Sequence, residues 1–415
     1  MNVAEASTTL GAIISRTGGA LQTGPFGSQL HARDYRPIGT PLVMPVNLGD
    51  NEIRESGVMR IGASDARRLH RHALRAGDIV FSRRGDVGRR SLVRHAQSGW
   101  ICGTGCLLAR FGGNRADVNP AYVAEYIGSS SAQAWLFDNA VGGTMPNLNT
   151  SILSSLPIVL PPKRVQDRVV SALGDARQLI ASLERLIAKK EAIKSGMTHQ
   201  LLAGVTRLPG FTAEWTECDL GELGSFLKGR GVTRDDVRST GVPCIRYGEI
   251  YTEFGDYTTN TRSYVSREIS ATALPVRAGD ILFAGSGETK AEIGTALAYI
   301  GEKDAVAGGD IIVLRGAGYN SVFLASLLNS PRVAAQKARR GQGDAVVHIS
   351  SAALSGLKIQ LPDRDEQDAI AAVIQDADRE IVALHKRLEK ARSIKQGVMQ
   401  ELLTGKTRLE VKEVE

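Results

Sequence analysis

The chain has 415 residues, with 51 Lys and Arg against 44 Asp and Glu, a formal net charge of +7. That length makes two or more domains the default, and 42% hydrophobic with 23% charged residues excludes a disordered chain or a fibre. No run approaches the ~18 apolar residues of a membrane span. Four cysteines in so long a chain exclude a disulfide framework. Met1 to Gly19 has no basic stretch followed by a long apolar one, so a cytoplasmic protein with no membrane association is expected. The charge is uneven: +10 over 1–208 and −3 over 209–415, with sixteen Arg and no Lys over 1–160. Arginine's planar fork can bond bidentately to a phosphate or a guanine edge.

In chain order, Thr9-Leu10-Gly11-Ala12-Ile13 opens the first half. Arg75-Ala76-Gly77-Asp78 before Ile79-Val80-Phe81 reads as a turn feeding a strand. A basic, Gly-flanked loop follows over 82–90, carrying Arg83, Arg84, Arg89 and Arg90. Asp117-Val118-Asn119-Pro120 reads as a loop entering a short helix through Tyr122 and Tyr126, and Gly142 to Asn147 forms a second polar loop. Pro161-Pro162 then stand where a missing N–H costs least, at the start of a long helix. Its apolar residues recur at Val169, Leu173, Ala176, Ile180, Leu183 and Ile187, then at Ile193, Met197 and Leu201, the three-and-four spacing of a coiled-coil seam.

The second half repeats this plan. Residues 361–409 match 160–208 at a constant offset of 201 without a gap, with 18 of 49 positions identical, among them Gln166/Gln367, Lys194/Lys395 and Gly196/Gly397. The second seam is Ile370, Ile374, Ala377, Ile381, Leu384, Leu388, Ala391, Ile394, Val398 and Leu402. Asp219–Leu223 answers Thr9–Ile13, Arg277–Phe283 answers Arg75–Phe81, and Ile349–Leu361 answers Leu148–Leu160. A period near 200 is too long for a solenoid, so two domains of one design are expected, each α+β, each followed by a repeated helix. The helices are expected to pack on each other through Leu173, Ile180, Leu183 and Ile187 of the first and Ile374, Ile381, Leu384 and Leu388 of the second. Gly196 and Gly397 cost their helices about 1 kcal/mol each relative to alanine, so close helix contact is expected there.

Three patterns invite an enzymatic reading and fail it. Asn119-Pro120-Ala121-Tyr122 resembles an adenine-methyltransferase motif, but no Gly-rich cofactor loop precedes it at suitable spacing. Gly285-Ser286-Gly287-Glu288-Thr289-Lys290 lacks the order of a phosphate loop. Cys102 and Cys106 have no second Cys or His pair at ligand spacing, so no metal is expected, and His70 and His72 read as part of a solvated basic face.

What remains is a set of basic or polar Gly-flanked loops: Arg83, Arg84, Arg89 and Arg90 with Thr144 and Asn147 in the first half, and Lys290, Arg339, Arg340 and His348 in the second. Lys228, Arg230, Arg234 and Arg238 are further cations of the second half. Glycines let backbone approach a nucleic acid, cations neutralise phosphates, and polar side chains read base edges.

The two Leu-Pro-x-x-x-x-Gln helices, ending in Ile-Lys-x-Gly and Leu-Leu-x-Gly-x-Thr-Arg-Leu, together with Gly279 to Gly294, resemble the specificity subunit of Type I restriction–modification systems over essentially the whole chain. The resemblance implies an α+β fold, two α/β target-recognition domains (1–158 and 209–360) separated by two long helices (159–208 and 361–415, the latter with a C-terminal tail) packed as an antiparallel coiled coil. It implies a non-catalytic DNA-binding subunit that reads a split duplex target. Two modification (methyltransferase) subunits would dock on it, with restriction subunits beside them, and S-adenosylmethionine, ATP and Mg would be held by those partners. A helix from Gln166 to Leu202 would be roughly 55 Å long, a ruler for the unread gap. The rivals are the corresponding subunit of an orphan methyltransferase or double-side-cutting system, and a coiled-coil scaffold that binds protein only.

Overall fold

The computed structural model describes residues 7–26, 29–142, 145–343 and 346–403, and the chain divides into two compact units, Met1–Glu184 with Lys386–Glu415, and Arg185–His385. Each unit is mixed helix and sheet and combines one variable half with a stretch of both long helices.

The turn-then-strand signal organises each unit. Gly77 and Gly279 take φ of 88° and 96°, a left-handed conformation that favours glycine. The carboxylate that follows closes the turn: Asp78 accepts from Arg75 N–H and Asp280 from Arg277 N–H, both at 2.9 Å. Each buried Asp also grips an arginine on the neighbouring strand, Arg110 and Arg315, Nη2 to Oδ2 at 2.6 Å in both. A buried carboxylate is tolerated because it is paired and hydrogen-bonded.

From this turn run matching five-stranded sheets. In the first unit the order is Ala20–Thr23, Cys106–Arg110, Ile79–Ser82, Arg90–Leu92, Asp50–Asn51; in the second it is Gly224–Lys228, Ile311–Gly316, Ile281–Ala284, Ala296–Tyr299, Tyr257–Thr258. All pairings are antiparallel except the last of each sheet, which is parallel. The central strands are buried on both faces, as their unbroken apolar runs require: Leu107 faces Phe81 and Leu282 faces Val313. A smaller four-stranded sheet accompanies each, containing Thr40–Val43 in the first unit and Val242–Ile245 in the second.

The long helices are Lys163–Leu202 and Arg364–Leu403, 40 residues each. The shared glutamine pins their starts. Gln166 Oε1 accepts from Asn119 N–H (2.8 Å) and its amide donates to Pro161 O (2.7 Å); Gln367 does the same with Asn320 N–H (2.9 Å) and Pro362 O (3.0 Å). Both glutamines are buried, so the motif is a staple between the helix and its own unit. Asn119 and Asn320 are in turn the N-caps of helices Pro120–Ile127 and Ser321–Asn329. The Asn-Pro-Ala-Tyr stretch is thus a helix start, with Tyr122 buried and its hydroxyl on Val159 O.

Within each unit the two helices lie side by side and antiparallel. In the first, Val169 and Leu173 share a cluster with Leu403, and Glu184 pairs with Arg392 at 2.8 Å. In the second, Lys190 pairs with Glu380 at 2.7 Å and Lys194 with Asp378. Leu173, Leu183, Ile187, Ile374, Leu384 and Leu388 are buried, while Ile180 and Ile381 are half-buried. Two seam expectations fail: Ile193 and Ile394 are 52% and 53% exposed. Gly196 and Gly397 are exposed as well, and a methyl group placed on either Cα would meet nothing within 4 Å, so neither glycine marks a close helix contact.

The second unit carries one lock that composition did not announce. The chain leaving the first helix folds back so that Arg207 donates through Nε and Nη2 to Glu366, both at 2.6 Å, while Trp215 Nε1 donates to the same carboxylate at 3.2 Å. The Arg207 guanidinium also stands 5.8 Å from the Trp215 ring centroid. Here the Thr-Arg-Leu of the first repeat acts as a clasp; its second copy, with Leu-Leu-x-Gly-x-Thr-Arg-Leu from Thr404 on, lies outside the described residues.

Candidate nucleic-acid interface

The polar loops singled out in the sequence meet in pairs, and in the same way in both units. In the first unit Arg84 bridges to Asn147, and Asn147 also pairs with Val141. In the second, Ser286 and Gly287 pair with His348 and Val347, and His348 also pairs with Gln342. Asn147 and His348, 201 residues apart, are therefore central strand positions of equivalent three-segment clasps. Supporting bonds repeat too: Leu148 N–H donates to Arg83 O at 2.8 Å and Ile349 N–H to Gly285 O at 3.0 Å.

The side chains offered there differ. In the first unit Arg84 is exposed and Arg83 half-buried. Arg89 is exposed, but is paired with Asp86 at 2.7 Å. Arg90 departs from expectation: it is 5% exposed, donating to Ala124 O (3.0 Å) and Asp50 (2.9 Å), and is a packing residue. Burial pushes the Asp50 carboxyl up, but Arg90 and Lys395 outweigh it and hold Asp50 below the usual carboxylate range. Among the described residues, Arg83 Nε, Asn147 Oδ1 and Thr104 Oγ1 are buried polar atoms without a hydrogen-bond partner. They belong to one locality, since Arg83 N–H donates to Gly105 O at 2.8 Å. Each such atom costs about 1–3 kcal/mol, which a ligand supplying the missing partner would recover. Thr144 lies outside the described residues.

In the second unit His348 is exposed, with Nδ1 2.8 Å from the Ser286 hydroxyl. It lines an open cleft of ≈ 320 Å³ with Lys228, Arg340, Gln342 and Asp310. Arg340 is anchored by a bond from Nη1 to Ala353 O at 3.1 Å. A larger cleft of ≈ 800 Å³ also reaches Asp310 and is lined by Arg234, Arg246, Arg262, Tyr247 and Tyr251. Burial, with Tyr247 and nearby carboxylates adding to it, raises the Tyr251 phenol above its usual range. Arg230, Lys290 and Arg339 are exposed and line neither cleft.

Sequence reasoning missed Ser286 and Gln342 as partners of His348, and missed the Arg246, Arg262 and tyrosine wall of the larger cleft. Aligning 84 with 286 at the offset of 202 seen in the Gly-Asp-Ile stretch would have put Ser286 opposite Arg84. The larger cleft gathers residues from five separated segments and leaves no local signal. His72 is half-buried, and burial lowers its imidazole pKa, so it is no part of a solvated basic face. Cys102 and Cys106 are buried free thiols, and Cys102 beside it, with burial, pushes Cys106 well above its usual value. Among the described residues no group of three or more His, Cys, Asp or Glu could hold a metal ion, and no helix is long and apolar enough to cross a membrane.

Residues 212–392 match the family model described as the Type I restriction modification DNA specificity domain. The Type I restriction enzyme MjaVIII specificity subunit of Methanocaldococcus jannaschii is 24% identical over 300 residues, covering 67% of this chain and 68% of that protein. The fold is shared with the HsdS subunit from Thermoanaerobacter tengcongensis, TM-score 0.52 at 18% identity, and with the Type I restriction–modification S subunit from M. genitalium, TM-score 0.57 at 15% identity, each covering 97% of both chains. Residues 212–392 thus carry the match to the Type I restriction modification DNA specificity domain, and the chain is similar to specificity subunits of Type I restriction enzymes.

Proposed function

We propose that this chain is the DNA-specificity subunit of a Type I restriction–modification complex and reads a split duplex target, one half with the loop clasp of each unit. The observation that carries the proposal is the duplicated clasp: Arg84–Asn147–Val141 and Ser286–His348–Gln342 share backbone pairing and differ in every side chain. Equal frames with unequal side chains suit a target whose halves differ in sequence. Basic and polar groups beside each clasp supply phosphate contacts, which position the protein, and base-edge contacts, which select sequence.

In this reading the chain performs no chemistry. Adenine methylation with S-adenosylmethionine belongs to two modification subunits, and translocation and cleavage with ATP and Mg belong to restriction subunits; the paired long helices are their docking element. The test is exchange of residues 1–158 for the equivalent segment of a relative, followed by mapping of the methylated or bound sequence. One half of the target should change and the other persist; change in both halves, or in neither, would overturn the two-reader reading. A salt titration separates DNA reading from protein scaffolding, since a reader making several phosphate contacts loses affinity by orders of magnitude between about 50 and 200 mM salt.

A further inference from the structure

We infer that the equivalent positions Asn147 and His348 are the specificity-determining residues of the two readers, Asn147 selecting an adenine and His348 a guanine. The inference rests on the DNA-reading function proposed above and says which residue reads in each half.

Each of these residues is held on two sides. Asn147 exchanges backbone hydrogen bonds with Val141 (3.0 and 2.9 Å) and bridges to Arg84; His348 exchanges them with Gln342 (2.9 and 2.7 Å) and pairs with Ser286. A side chain on a doubly clasped backbone is preorganised, which base discrimination requires. Neighbouring loop cations, as point charges or forks, serve any phosphate.

The side-chain chemistry then assigns the base. Asn147 has an amide donor beside a carbonyl acceptor, the pattern that matches N7 and the N6 amino group of adenine in the major groove. Its Oδ1 is buried and has no partner among the described residues, so turning the carboxamide outward onto a base edge breaks no bond at that atom and satisfies a stranded acceptor. At His348 the ring is fixed from behind. Ser286 is 3% exposed, and among the described residues the hydrogen-bond partner of its hydroxyl is His348 Nδ1 at 2.8 Å. With the hydroxyl assigned as donor to Nδ1, the imidazole proton is on Nε2. An exposed N–H donor suits guanine best, whose N7 and O6 are both acceptors, whereas adenine offers one acceptor, N7, beside its amino donor and cytosine offers only the amino donor. Ser286 is the positioning residue, and Lys228 and Arg340 of the same cleft supply phosphate contacts.

The experiment is selection from a library of duplexes of random sequence, using the full chain alone and in the complex with which it co-purifies. Variants are Asn147→His, His348→Asn, Asn147→Ala, His348→Ala and Ser286→Ala, all first compared with the native chain by thermal melting. His348→Asn should move one position of one half-site from guanine towards adenine, and Asn147→His should make the opposite change at one position of the other half. The alanine variants ask for no new packing and should flatten the same two positions, a loss of about 5- to 100-fold in discrimination. Ser286→Ala should weaken the guanine preference at the His348 position alone. Unchanged base preference, or a uniform fall in binding with a shallower salt slope, would overturn the assignment while leaving the DNA-reading function standing. A native chain and complex that select no sequence would instead remove the function itself.

Discussion

Replacing Lys337 by leucine is expected to stabilise the second unit at neutral pH and to abolish a pH dependence of its stability. Lys337, on helix Pro331–Arg340, is 3% exposed, and its ammonium donates to Gly294 O at 2.6 Å. Among the described residues no carboxylate pairs with it directly: Asp256, itself bonded to Ser326 and Asn329, acts on it only at a distance. Burial outweighs that acid and lowers the amine to about 7, from the usual 10.5. The unfolded chain therefore keeps the proton to higher pH than the folded one, so stability climbs as pH rises from about 7 to 10.5 and is flat below 7. At pH 7 the mismatch costs about 4 kcal/mol. The equivalent position of the first unit is Leu136, fully buried, so the fold accepts leucine there. Lys337→Leu leaves the Gly294 carbonyl without its donor, at about 1–3 kcal/mol, so a net gain of about 1–3 kcal/mol is expected at pH 7. Urea denaturation of both full-length proteins at pH 7 and pH 9 measures it, and the advantage of the variant should shrink by about 2–3 kcal/mol between them. A variant less stable than the native chain at pH 7, or two parallel pH profiles, would refute the reasoning.

Arg207→Ala should destabilise the second unit by about 2–4 kcal/mol, because Glu366, 1% exposed, loses a bidentate partner while staying buried; the midpoint followed by Trp215 fluorescence reads it, and a change within about 0.5 kcal/mol would show that the clasp contributes little. Gly196→Ala and Gly397→Ala, in exposed helix with open space around each, should each stabilise by about 0.5–1 kcal/mol in thermal melts and raise helicity. Destabilisation by either would restore the close-contact role that their spacing suggested.

The parts of the fold that were legible in the sequence are those fixed by short-range rules. The turn at Gly77-Asp78 and the helix start at Pro161-Pro162 follow from backbone conformation and a missing N–H, and the repeat made both visible twice. The seam was read from periodicity, which placed Leu173, Leu183, Leu384 and Leu388 inside but could not tell where a helix runs out of partner; hence the exposed Ile193 and Ile394. What stayed hidden depends on partners distant in sequence. Arg90 looks like its neighbours Arg84 and Arg89 until Asp50 and Ala124 O are seen around it. Gln166 and Gln367 stood out as identities, yet their role appears only when Asn119 and Asn320 arrive from 47 residues away.

The same division bears on the charge. Three arginines of the basic half are spent inside the first unit: Arg90 on Asp50, Arg110 on Asp78 and Arg177 on Glu125. Net charge over 1–208 therefore overstates what that unit can present to an anion, and the near-neutral second half still gathers Lys228 and Arg340 at one cleft. Frame and clasp positions also diverge differently. Asp78/Asp280, Arg110/Arg315, Asn119/Asn320 and Gln166/Gln367 are identical pairs, each buried or tying two elements together, whereas the clasp pairs Arg84/Ser286, Val141/Gln342 and Asn147/His348 all differ. Loss of a frame residue strands a buried partner in its unit, so drift there is destabilising in either copy. Drift in the clasp leaves those buried pairs intact and alters what the loops can touch. A duplicated chain under both constraints ends as two like scaffolds with unlike faces, the form that the proposed reading of an asymmetric target requires.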